Sequence, residues 1–115
     1  MESSILTSIK KSLGLDEDYV AFDPDILMFT NTVLATLNQL GVGPVNGYQI
    51  EDKDSTWDEF LGSDLRLNTV KSYVLLKVRL LFDPPATSFA IAAIEANAKE
   101  LEYRIYTVME VDKWQ

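Results

Sequence analysis

The chain has 115 residues, 47% of them hydrophobic and 24% charged, with 18 acidic against 10 basic side chains, a net charge of −8 and neither cysteine nor histidine. That length gives one domain with one modest core, and the composition is that of a globule rather than a disordered segment. Without cysteine or histidine there is no disulfide framework, ordinary zinc site or thiol chemistry, and the acidic balance argues against a sequence-independent grip on phosphate backbones, which needs lysine and arginine to displace counterions.

In chain order, Ile5, Leu6, Ile9 and Leu13 recur at three- and four-residue intervals and predict a short amphipathic helix, with Gly14 as its left-handed stop. Lys10 and Lys11 follow its apolar residues rather than precede them, and no apolar run approaches the ~20 residues of a membrane span. The expectation is a soluble, unexported protein. Asp23-Pro24-Asp25 reads as an N-cap followed by proline at the first helical position, opening a second helix with Ile26, Phe29, Val33, Leu37 and Leu40 on one stripe. Gly41 and Gly43-Pro44 stop it. From Val42 to Asp54 the helical period is lost, and Tyr48-Gln49-Ile50-Glu51 is the one candidate extended piece, half of a short β-hairpin. Thr56-Trp57-Asp58-Glu59 has the spacing of a capping box and predicts a short helix closed by Gly62, with Trp57, Phe60 and Leu61 inward.

The stretch from Leu65 to Ala96 is the most informative. Leu67, Val70, Val74, Val78 and Leu81 form one stripe and Tyr73, Leu76 and Leu80 another beside it, leaving a narrow polar edge at Asn68, Ser72 and Arg79. A helix apolar over most of its circumference belongs in the middle of a bundle. At Asp83-Pro84-Pro85 the pattern must break, because a proline disfavours helical geometry in the residue before it. Thr87 or Ser88 can cap a new helix, which places Ile91, Ile94, Ala98, Leu101, Ile105 and Val108 on one seam, with Glu95–Lys99 and Glu100–Arg104 as i,i+4 pairs on its wet side. The prolines therefore make a corner. The predicted fold is all-α: a small antiparallel helical bundle in one domain, residues 1–115, with a central αα-hairpin and one irregular loop, residues 42–54, that is a candidate for a short β-hairpin. Tyr73, Phe82, Phe89, Trp57 and Phe60 are assigned to the core.

Candidate chemistry is sparse. Asp16-Glu17-Asp18 reads first as a solvated acidic turn, with a hard-cation or acid–base role as the alternative. Asp52, Asp54 and Thr56 imitate the start of a calcium loop, but Trp57 stands where the loop needs glycine and Ser63 where it needs a bidentate glutamate. With no histidine, no Ser-x-x-Lys pattern and no glycine-rich loop before Lys10-Lys11-Ser12, the parts of a catalytic site are missing, and the expectation is a protein that is not an enzyme and needs no cofactor or metal. Trp114, near the end of TVMEVDKWQ, is either packed back on the bundle or kept for a partner.

The run DPDILMFTNTVLATLNQLGVGP, the acidic WDEFLG, then RLNTVKSYVLLKVRLLFDPPATSF and a closing ELEYR resemble the head-tail connector (head completion, or adaptor) proteins of long-tailed bacteriophages and prophages, from about Leu13 to Arg104. The resemblance implies a structural virion protein of the siphovirus kind. Its copies would form a ring, typically dodecameric, beneath the portal, extending the DNA channel and joining capsid to tail. It implies as partners the portal protein, a tail-side connector, stopper or tail-terminator protein, and further copies of the chain. DNA would pass through without sequence-specific binding, and no membrane is involved. The place of action would be the head–tail interface of the virion, with assembly in the host cytoplasm. On this reading residues 107–115 are a candidate C-terminal docking arm, with Tyr106, Met109, Val111 and Trp114 as portal or subunit contacts. Tyr48, Glu51, Asp52 and Asp54 are candidates for a channel-facing or neighbour-facing loop, and Asp83, Pro84 and Pro85 form the structural corner. The alternatives are a cytoplasmic helical adaptor or regulatory subunit with no virion role, and a nucleic-acid binder, which the acidic balance disfavours.

Overall fold

The computed structural model describes residues 3–113. Among them five α-helices follow one another: α1 (Ile5–Ser12), α2 (Asp23–Gln39), α3 (Trp57–Leu61), α4 (Asn68–Phe82) and α5 (Ser88–Lys113). The all-α expectation holds, and α4 is the centre, packing against α1, α2 and α5. Val70, Tyr73, Val74 and Val78 are buried, Leu75 and Phe82 lie half-buried against them, and the polar edge of Asn68, Ser72 and Arg79 is exposed. Leu81 departs from its predicted stripe. It sits in the last turn of α4 and is 47% exposed.

Two corrections concern how helices begin. Leu65–Leu67 is a 3-10 turn rather than the first turn of α4. Asp64 holds it: its carboxylate accepts from the Arg66 backbone N–H at 2.9 Å and from the Arg66 guanidinium at 2.8 Å, which tightens the chain before the α-helical period sets in. Asp23 is likewise not the cap of α2. It is the first helical residue, Phe22 occupies the cap position with no side-chain bond, and the Asp23 carboxylate is engaged by Lys10 instead. Proline at the start and acids in the first turn still favour a helix here.

At the other end of α4 the proline corner forms as predicted. Asp83 leaves helical geometry at φ −146, ψ 70, while its N–H still reaches the Arg79 carbonyl at 2.8 Å. Thr87 then caps α5, its hydroxyl accepting from the Ala90 N–H at 3.1 Å. The two arms run antiparallel, so that Tyr73 on α4 meets Glu102 on α5. Ala98 and Ile105 are buried in the seam, with Leu101 and Val108 half-buried beside them. Of the two predicted ion pairs on the wet side, Glu100–Arg104 closes at 2.8 Å.

Residues 42–54, a candidate for a short β-hairpin, do not form one. Among the described residues no strand pairs there, and the isolated antiparallel bridge lies elsewhere, between Ser4 and Thr56. Side chains of α2 take over the work of a strand partner. The Asn31 amide donates to the Ile50 carbonyl at 3.0 Å and its oxygen accepts from the Ile50 N–H at 2.8 Å. Two helical turns on, the Asn38 amide donates to the Pro44 carbonyl at 3.0 Å. Ile50 and Val42 are thereby sunk into the core and the segment between them is held along α2. Gly43 is required in this turn. Its φ is +86, and a Cβ there would stand 2.5 Å from the ring of Phe60, which stacks on Tyr48 at 5.2 Å.

The capping box is present as predicted, with Glu59 and Thr56 bonding reciprocally ahead of Trp57. Trp57 is 3% exposed, and its indole N–H donates to the Ser8 hydroxyl at 3.0 Å. The Ile5 N–H meets the Ser55 carbonyl at 3.1 Å, so α3 and its approach strap α1 to the body.

The Asn31 clamp yields a direct test. Asn31→Ala should leave both backbone groups of buried Ile50 without partners and destabilise the fold by about 1–3 kcal/mol. Asn31→Asp, which keeps the acceptor and loses the donor, should fall between the two in urea unfolding. An alanine variant with an unchanged midpoint would show that water satisfies Ile50 as well as Asn31 does.

Candidate functional site

The predicted loop residues divide between two surfaces. Tyr48 faces inward onto Phe60, whereas Glu51, Asp52 and Asp54 are exposed, Asp52 accepting from the Asp54 N–H at 2.9 Å to make a tight turn. Beside this turn lies a cleft of about 540 Å3 lined by Leu6, Lys10, Glu17, Asp18, Asp23, Glu51, Asp52 and Lys53 among others. The charged residues of its wall are acidic apart from two lysines, and one of these is committed. Lys10 is 2% exposed; its ammonium lies 2.9 Å from Asp23 and donates to the Glu17 carbonyl at 2.9 Å. A buried lysine at the back of an acidic cleft was hidden in the sequence, where Lys10 reads as the polar side of an amphipathic helix. Its role here is to clasp the 15–22 segment and the start of α2 onto α1. Among the described residues no group of three or more carboxylates is arranged to hold a metal ion. Among the described residues no helix is long and apolar enough to cross a membrane.

The predicted arm is the continuation of α5, helical through Lys113. Tyr106 is 48% exposed and Val111 46%, while Met109 packs partly against the core near Gly41. Trp114 lies outside the described residues. Tyr106 also lines a shallow groove of about 380 Å3 with Leu40, Lys99, Glu102 and Tyr103. The floor of this groove is fixed by Tyr73, whose hydroxyl donates to the Glu102 carboxylate at 3.0 Å. Burial pushes the Tyr73 phenol up to about 12, and the hydrogen bond and negative charge of Glu102 add to it. Elsewhere, the Arg66 hydrogen bonds hold Asp64 below the usual carboxylate range.

Sequence reasoning missed one further surface. Phe89, assigned to the core, is 86% exposed, because it sits on the side of α5 facing away from α4. At the same end of the bundle, where the corner meets the start of α2, Tyr19, Phe22 and Phe82 form an edge-to-face chain with centroids 5.7 and 5.3 Å apart. Tyr19 and Phe22 are 49% and 40% exposed. These side chains leave apolar surface exposed at the corner end of the bundle.

The molecule is thus an acidic helical bundle with an exposed acidic turn and exposed apolar side chains on its surface. A scan against family models finds the phage connector proteins, matched over residues 5–112. The chain belongs to that family, a structural one of the phage head–tail joint. Comparison with curated proteins and with solved structures finds no match.

The Tyr73–Glu102 contact predicts a pH dependence. A phenol whose folded pKa is raised is held neutral by the fold, so its contribution is complete below the unfolded value near ~10 and is lost as pH rises toward about 12. Wild type should exceed Tyr73→Phe by about 1 kcal/mol at neutral pH. In denaturant unfolding this advantage should shrink from pH ~10 upward. A difference that stays constant through that range would contradict the assignment.

Proposed function

We propose that copies of this chain form a ring beneath the portal of the DNA-filled capsid, extend the DNA channel, and offer a platform to a tail-side connector, stopper or tail-terminator protein. The observation that carries the reading is the family match over nearly the whole chain. The physical character of the molecule supports it. A net charge of −8 suits a conduit through which DNA must slide without being gripped, since an acidic wall repels phosphate. The exposed Glu51, Asp52 and Asp54 turn is the proposed channel-facing or neighbour-facing element. DNA passes without sequence-specific contact. The protein acts at the head–tail interface of the virion and is assembled in the host cytoplasm.

In this reading the C-terminal part of α5 docks on the portal or on an adjacent subunit. Tyr106 and Val111 supply exposed apolar surface there, Met109 anchors the helix to its own bundle, and Trp114 extends the contact. The test is to mix the purified protein with portal from the same genome and image the product by negative stain, using wild type and a variant lacking Val111 to Gln115. Wild type should add a ring of density to the portal. The truncated protein should keep its far-ultraviolet dichroism and melting midpoint and bind portal more weakly by roughly tenfold or more, as loss of an anchoring aromatic does. A truncation that melts early, yet assembles whenever folded, would move the docking surface elsewhere, first to residues 42–54. Wild type that never joins portal would overturn the function.

A further inference from the structure

Charge is unevenly distributed along this chain. From Ile26 to Ile50 there are 25 consecutive residues without a charge, and from Pro84 to Ile94 another 11, in a protein of which 24% is charged. A buried segment needs no charge, but much of both stretches is on the surface. On α2, Met28, Thr32, Ala35 and Gln39 are exposed at four-, three- and four-residue steps, so they form one outward stripe. Alongside it, α2 and the loop that Asn38 secures enclose a groove of about 490 Å3, lined by Asn31, Ala35, Gln39, Asn46, Tyr48 and others, with no charged residue among them. Val45, on the same loop, is 94% exposed. On α5, Phe89, Ala92, Ala93 and Ala96 are exposed and share the face turned away from α4. Both helices thus carry two seams: an inner one buried on α4 and an outer, uncharged one facing water. On α5 the outer seam is apolar, and a helix apolar on opposite sides is suited to being covered on both; on α2 it is uncharged and mixed, with Thr32 and Gln39 beside Met28 and Ala35.

We infer that these two outer surfaces are the two halves of the contact between neighbouring copies of the chain: the first turns of α5, led by Phe89, of one copy pack on the solvent face of α2 and the 44–49 loop of the next. This rests on the connector reading above and names the partner and the surfaces it leaves open. Charge selects the occupant. Two copies each carrying −8 repel one another, and at physiological salt that repulsion acts over about 8 Å. Contact is least opposed where neither surface carries charge, whereas a basic partner would be drawn to the acidic turn and cleft instead. The two surfaces also differ in shape, one a projecting phenyl ring on a slim alanine face and the other a groove. They lie on different helices, each packed on α4. That is what head-to-tail association requires: two unlike, complementary faces on one subunit, repeated until the ring closes.

The lack of cysteine in the chain permits a clean test. Ala35→Cys and Ala92→Cys put one thiol on each face at exposed helical positions, and unchanged circular dichroism checks the fold. The proteins are treated with a short bismaleimide, both concentrated alone and after assembly on portal, and run on denaturing gels. The double variant should give a ladder of covalent multimers, each single variant should stay monomeric, and a mixture of the two single variants should stop at dimers. Particles that assemble on portal without a ladder would overturn the inference and leave the connector function standing. A single variant that cross-links to itself would also overturn it, since that is the mark of a symmetric two-fold contact. A chain that neither joins portal nor self-associates would overturn both.

Discussion

The structure depends on the need to cover α4 on nearly every side. Val70, Tyr73, Val74 and Val78 are buried around this helix and Leu75, Leu76 and Leu80 are half-buried, so it is stable only inside a shell of other elements. The shell follows from the chain's punctuation. Pro84 and Pro85 force a turn at Asp83 and send α5 back along one side; α2 occupies another, and α1 with the Leu65–Leu67 turn closes the remainder. Each burial of an α4 residue is therefore also a constraint on a neighbour. Tyr73 shows this most fully, because its ring is 1% exposed while its hydroxyl fixes Glu102 on α5.

Covering α4 uses only one face of each covering helix. What lies on the other faces is where an assembly protein differs from a bundle that works alone. A solitary acidic bundle spreads charge over its outer helix faces, which keeps copies apart. Here acidic side chains cluster in the 16–25 and 51–54 segments, while α2 beyond Asp25 and α5 before Glu95 carry no charge. The Asn31 and Asn38 contacts belong to the same economy of parts. By holding the 42–50 segment with amide side chains instead of a strand, α2 acquires an uncharged groove along its flank.

Much of the fold was legible because the signals were local. Glycine stops, the Thr56–Glu59 capping box and the proline corner each act within a few residues, and the three- and four-residue spacing marked the inner seams of α2, α4 and α5. The failures share a cause in long-range contact. Asn31 binds Ile50 across 19 positions, and an asparagine in a helix carries no mark of what it reaches. Asp23 resembled a cap until Lys10, on another helix, turned out to hold it. Phe89 was assigned inward because periodicity reports that a helix has apolar residues but cannot say which of two apolar faces meets the parent bundle. That ambiguity hid the exposed surface near the corner. The predicted Tyr106, Met109 and Val111 positions are described and mark the C-terminal part of α5. The acidic loop was recognised from its composition, but its fixed position beside α2 was not.

The central claim, that α4 is the element on which the others depend, can be measured by native-state hydrogen exchange on the isolated chain. Amides from Val70 to Val78 should exchange last, at the rate set by global unfolding, and those in the first turns of α5 and in residues 42–50 should open earlier through local fluctuations. Should α4 exchange as fast as the first turns of α5 while α2 or α1 retains the slowest amides, the core would lie elsewhere and the account of how the outer faces become free for assembly would fail with it.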